Sequence, residues 1–188
     1  MAKLSLLGDS IMFNNYGPVV EETLQNQFTV FRPDENCRFA AYTLRGLHEW
    51  KEGLAGSDII HWNNGLWDTC DLFGDGAFTP LDTYVETMVR IARLLKRITP
   101  NIIFATTTPP SPKMWGHDQN RIRLYNQTVC QELIREGVRI NDLFSLVLPK
   151  VEEYICEDQI HLSEAGIQAC AKQVMDAITA LAKEKNLM

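Results

Sequence analysis

Two short stretches at opposite ends of the chain carry groups able to do covalent chemistry. Near the start, Gly8-Asp9-Ser10 ends an apolar run, "KLSLLGDS"; near the end, Asp158 and His161 stand three residues apart in "CEDQIHLSEAG". An aspartate three residues ahead of a histidine on one loop can curl back to the imidazole Nδ1. It would then fix the tautomer and stabilise the imidazolium formed when a serine gives up its proton. Ser10 would be the nucleophile, His161 its base and Asp158 the orienting group. Each piece alone has a plainer reading. Gly, Asp and Ser are the usual turn residues, and Asp158 and Ser163 would also serve to cap a following helix. The other histidines offer less: His48 falls in a helical stretch, "RGLHEW", His61 inside an apolar run, and His117 in a loop after "PPSPKMWG".

The elements that must position these groups follow from periodicity. Short apolar runs at 3–9, 27–33, 57–64, 101–108 and 137–142 read as strands. Between them the three-and-four spacing of Leu81, Tyr84, Val85, Met88, Val89, Ala92, Leu95 and Ile98 predicts a helix over 81–98, bracketed by Pro80 and Pro100. A second helix is expected over 117–135, carrying Ile122, Tyr125, Val129, Leu133 and Ile134. A last one runs over 163–184 with Ser163 as N-cap, and weaker patterns mark 17–26 and 43–54. Strands alternating with helices argue for α/β architecture, a three-layer α/β/α sandwich around a five-stranded parallel sheet. In such sheets functional groups collect beyond the carboxyl ends of the strands. Gly8-Asp9-Ser10, "NNGLWD" and "TTTPPSP" should therefore share one rim.

Bulk properties narrow the classes. A chain of 188 residues reads as one domain, 1–188, able to bury roughly 70% of its unfolded surface without metal or disulfide support. The net charge is −6 and the basic residues are scattered, so no nucleic-acid partner is expected. The stretch "MAKLSLLGDS" lacks the order of a signal peptide, and no apolar run is long enough to cross a bilayer, so no membrane partner is expected. Five scattered cysteines without a CxxC suggest neither zinc nor a disulfide framework and suit a reducing, cytoplasmic setting. Dimerisation is left open.

Taken together, the strand-ending GDS and the DxxHLSxAG before a last helix resemble the GDSL, or SGNH, hydrolase family of esterases, lipases and carbohydrate deacetylases. The resemblance spans the chain from Gly8 to the final helix. It implies a flavodoxin-like sheet and a Ser-His-Asp triad of Ser10, His161 and Asp158, with no metal or other cofactor. Gly8 lets the backbone turn sharply, Asp9 supports the loop, and the Ser10 N–H is the first donor to the oxyanion. The family's second block supplies a glycine N–H; aligning Thr43 and Leu47 in "NCRFAAYTLRGL" puts Ala41 there, with Gly46 a second candidate by residue type. The third block, Gly-x-Asn-Asp, matches at Gly65 and Asp68, but Trp67 stands where the family has its donor asparagine. Asn63 or Asn64 is left to supply that amide, and a branch of the family with Asn-x-Gly-Leu-His/Trp-Asp favours Asn63.

The resemblance implies a small-molecule ester as partner, cleaved through an acyl-enzyme on Ser10. Trp67 and Trp115, with Trp62 and Tyr42 nearby, are candidates to line the substrate side. Without a long insertion to cover a lipid-sized group, a small acyl group is preferred, such as acetyl on a carbohydrate. Two other readings stand beside this one. If Trp67 marks decay of the oxyanion hole, the same fold would bind a carbohydrate or anion without hydrolysing it. A flavodoxin-like nucleotide or phosphate binder is disfavoured because "GDSIMFNNYG" is not a Gly-rich loop.

Overall fold

Each of the five apolar runs forms a strand in the computed structural model, which describes residues 1–188. They are β1 (Ala2–Leu7), β2 (Phe28–Phe31), β3 (Ile59–Trp62), β4 (Ile102–Ala105) and β5 (Arg139–Asn141). All pairings are parallel and the order is β2-β1-β3-β4-β5, the flavodoxin-like arrangement. Leu4 of β1 lies opposite Ile59 and Leu7 opposite Trp62. The helices are α1 (Gly17–Leu24), α2 (Ala40–Glu49), α3 (Lys51–Leu54), α4 (Leu81–Leu95), α5 (Gln119–Arg135), α6 (Leu143–Val147), α7 (Val151–Tyr154) and α8 (Glu164–Glu184).

Side-chain alternation divides the core into two layers. Leu4, Leu6, Ile59 and Ile103 pack on one face with Val20 and Leu24 of α1 and Val174 and Ile178 of α8. Leu7, Ile60, Trp62, Ile102 and Phe104 pack on the other with Met88 and Ile91 of α4 and Val129 and Leu133 of α5. Strands apolar on both faces are what a sheet covered on both sides requires.

The strands are shorter than the apolar runs, and the difference builds the rim. Gly8 leaves the ladder after Leu7: its C=O accepts the Cys37 N–H at 2.9 Å and its own N–H donates to Cys37 Sγ at 3.3 Å. A π-helical turn, Ile11–Tyr16, follows directly and was not signalled by the pattern. α2 starts at Ala40, ahead of the expected 43, and breaks at Trp50 before α3. Two expected core positions are exposed. Ile98 lies beyond the end of α4, and Ile134 sits about 100° round α5 from the buried Leu133. Ser163 does cap α8, its Oγ accepting the Gly166 N–H at 3.2 Å. All five cysteines are free thiols, and no helix is long and apolar enough to cross a membrane.

Candidate active site

The turn after β1 is held by Asp9. Its carboxylate is fully buried, Oδ1 accepts the Ile11 N–H at 3.0 Å, and its C=O accepts the Met12 and Phe13 N–H groups. Burial pushes the Asp9 carboxyl above its usual range, opposed by the Asn63 amide, the Ile11 N–H and the charge of His161. Gly8 is needed for space rather than for its backbone angles. A Cβ there would meet Asn63 Oδ1 at 1.9 Å and Met12 Cβ at 2.5 Å. Ser10 is thereby left at the start of the π-helical turn, its side chain just reaching the surface.

The second stretch closes on it. Ile155 and Leu162 form an antiparallel bridge, and the Cys156 N–H donates to the His161 C=O at 2.8 Å. Gln159 takes the left-handed conformation, φ 72°, which turns the chain so that Asp158 faces its own loop. Asp158 Oδ1 accepts the N–H groups of Ile160 and His161, each at 2.9 Å, and the Cys156 thiol at 3.1 Å. Its Oδ2 accepts the His161 Nδ1–H at 2.6 Å, which leaves Nε2 to accept the Ser10 hydroxyl at 2.9 Å. Burial alone would raise the Asp158 carboxyl; the Ile160 and His161 N–H groups, the thiol and the imidazole outweigh it and hold the group well below the usual carboxylate range. Asn15, on the π-helical turn, joins the two halves: its Oδ1 accepts the Leu162 N–H at 3.1 Å. Neither Asn15 nor Cys156 was singled out in the sequence; only proximity in the fold marks them.

The expected oxyanion residues separate. Cys37 ties the start of α2 to Gly8, and the N–H groups of Ser10 and of Ala41, in the first turn of α2, donate to no protein acceptor. The neighbouring Ala40 N–H donates to both oxygens of Asp68, which also accepts from Thr79. Burial lifts the Asp68 carboxyl to about 6, against the hydrogen bonds from Thr79 and Ala40. Asn64 is committed elsewhere. Its Oδ1 accepts the Trp62 indole N–H at 2.6 Å, its Nδ2 donates to the Arg38 C=O at 3.0 Å, and it is fully buried. Asn63 lies against Gly8 and Asp9, accepting from the Tyr16 hydroxyl at 3.4 Å. Gly65 has φ 135°, and a Cβ there would strike Thr107 Oγ1 at 2.3 Å. Gly46 is buried against the Trp50 ring within α2.

Beside Ser10 and His161 opens a cavity of about 380 Å³. Buried Leu66 and Cys70 line it, as do Phe39 and Phe78 in edge-to-face contact at 5.3 Å, with Trp67, Leu72, Ile160 and His117 completing the wall. Trp67 thus lines the cavity as expected, whereas Trp115 does not; it stands 66% exposed on the neighbouring loop. Trp62 is wholly in the core. His117 lies in the loop after Trp115. It is half-buried, its Nδ1 is buried without a partner, and burial together with Arg121 lowers it to about 4.

No family model and no curated protein sequence matches the chain. Solved structures do. A lipase/acylhydrolase from Enterococcus faecalis superposes with a TM-score of 0.78 at 16% identity, covering 96% of each chain. An acetylxylan esterase from Geobacillus stearothermophilus gives 0.73 at 18% identity over 94% of each. A carbohydrate esterase family 3 protein from Talaromyces cellulolyticus gives 0.74 at 18%, covering 98% of this chain and 99% of that one. Likeness at these identities establishes the fold: the α/β architecture that the GDSL/SGNH resemblance implied is the one this chain has.

Proposed function

We propose that the protein is a serine carboxylic ester hydrolase working through an acyl-enzyme on Ser10. The observation that carries this reading is the continuous relay from Asp158 Oδ2 through His161 to Ser10 Oγ, with contacts of 2.6 and 2.9 Å. A binding protein needs no such relay. The fold shared with named esterases agrees with it.

In this reaction Ser10 Oγ attacks the ester carbonyl carbon while its proton passes to His161 Nε2. The carbonyl oxygen becomes an oxyanion that the unpaired Ser10 N–H can receive, with the Ala41 N–H the second donor that the family resemblance implies. Collapse of the tetrahedral intermediate breaks the carbon–oxygen bond to the alcohol, which leaves with the proton from Nε2. Water then attacks the acyl-enzyme, giving its proton to His161, and the acid departs as Ser10 recovers its hydrogen. Asp158, held low by its donors, stays ionised and stabilises the imidazolium formed in each half-reaction. One oxyanion donor is worth about 2.7–4 kcal/mol. With Asn64 committed elsewhere, Asn63 is the remaining side chain for a third, and Trp67 at the family's asparagine position contributes apolar surface instead.

The direct test is reaction with a fluorophosphonate followed by peptide mass analysis. A single adduct on Ser10, absent from His161→Ala, is expected. An unlabelled Ser10 in a folded protein would instead favour the non-hydrolytic binding reading.

A further inference from the structure

We infer that the cavity beside Ser10 takes an unbranched or aryl apolar chain of the ester, about six to ten carbons long, rather than an acetyl group or a sugar ring. The inference rests on the serine esterase reading and names the substrate class of that site. Size is the first argument. A cavity of about 150 Å³ lined by aliphatic and aromatic side chains takes a benzene ring, and this one, at about 380 Å³, is more than twice as large. An acetyl group would leave most of it unfilled.

Lining is the second argument. Phe39, Leu66, Trp67, Leu72, Phe78 and Ile160 supply carbon, and apart from the reacting Ser10 and His161 the polar contribution comes from Cys70 and His117. No carboxylate, amide, lysine or arginine lines the wall, so a sugar's hydroxyls would lose water without gaining partners. His117 stays neutral at neutral pH. The mouth continues the same chemistry. Asp71 N–H donates to the Gly116 C=O at 2.6 Å, tying the loop that carries Leu72 and Phe73 to the loop that carries Trp115 and His117. Phe73 and Trp115 are largely exposed there.

The chain can belong to the acyl or to the alcohol side, and two series separate these. One is p-nitrophenyl esters from acetate to laurate; the other is acetate esters from ethyl to decyl, followed by acid release. We expect Ser10-dependent kcat/KM to rise about threefold to fourfold per buried methylene in one series, levelling near eight to ten carbons. Leu72→Trp, at the rim, should then lower the ratio of octanoyl or octyl to two-carbon substrate at least about fivefold. Ser10-dependent turnover that is flat or falls with length in both series would overturn the inference. Absence of Ser10-dependent turnover would sink the esterase reading instead, and calorimetry with octanamide then decides the cavity alone. Binding weakened by Leu72→Trp sustains it, and no binding overturns it.

Discussion

The Asn15 side chain accepts the Leu162 backbone N–H at 3.1 Å, so the turn that presents Ser10 and the loop that presents His161 are joined one residue beyond the imidazole. Ser10 and His161 are 151 residues apart in the chain. Their 2.9 Å approach therefore depends on contacts of this kind as much as on the sheet. A misplacement of about 1 Å at reacting groups can cost roughly 100-fold in rate.

Asn15→Ala should lower kcat about tenfold to 100-fold with little change in KM, because the residue positions the relay without touching substrate. Asn15→Asp keeps the acceptor and should recover most of the rate. Equal losses in both variants, or a loss confined to KM, would contradict this role.

Asp158→Asn should lower kcat by about 100-fold to 10,000-fold while the protein remains folded. The amide cannot stabilise the imidazolium, and it can donate to the imidazole nitrogen that should itself carry the proton. Steady-state kinetics beside circular dichroism checks both halves of the statement.

Gly8→Ala should destabilise the fold by about 1–3 kcal/mol, since the added methyl would overlap Asn63 Oδ1 and Met12 Cβ. Urea unfolding measures it. An unchanged midpoint would show that Asn63 can swing away without cost.

Acid stability should depend on His61. Burial holds this imidazole down to about 3, so the unfolded chain binds a proton that the folded one refuses between about pH 6.5 and 3. Stability from this group is complete above pH 6.5 and is lost as pH falls through that window, at most about 5 kcal/mol. His117, lowered to about 4, acts with the same sign. His61→Gln should flatten the acid limb of a stability–pH curve relative to the parent. A limb of unchanged slope would mean that other groups drive acid unfolding.

The strands and the long helices were legible because each has a regular pattern over its own length: β3, apart from His61, and β4 are apolar runs, and α4 keeps a stripe through Tyr84, Met88, Ile91 and Leu95. The meeting of Ser10, Asp158 and His161 was legible because each lies in one of two short motifs that end on the same rim. The cavity was not. Phe39, Leu66, Leu72, Phe78 and Ile160 come from three separate connections with no shared period, and only the closed sheet brings them together. The preference for a small acyl group looked for a long insertion as the sign of a large pocket; here ordinary rim loops build one. The π-helical turn escaped for a similar reason. Nothing in Ile11–Tyr16 marks a wider helix, and its setting depends on Asp9 and Asn15 meeting partners distant in the chain.

The central claim is that Ser10 and His161 act as one unit on an ester. Its most direct test is steady-state hydrolysis of p-nitrophenyl butyrate by the parent, Ser10→Ala, His161→Ala and the double variant. Both single variants should lose at least about 1,000-fold in kcat, and the double variant should lose no more than either alone. Turnover that persists in the single variants, or losses that multiply in the double, would contradict the account.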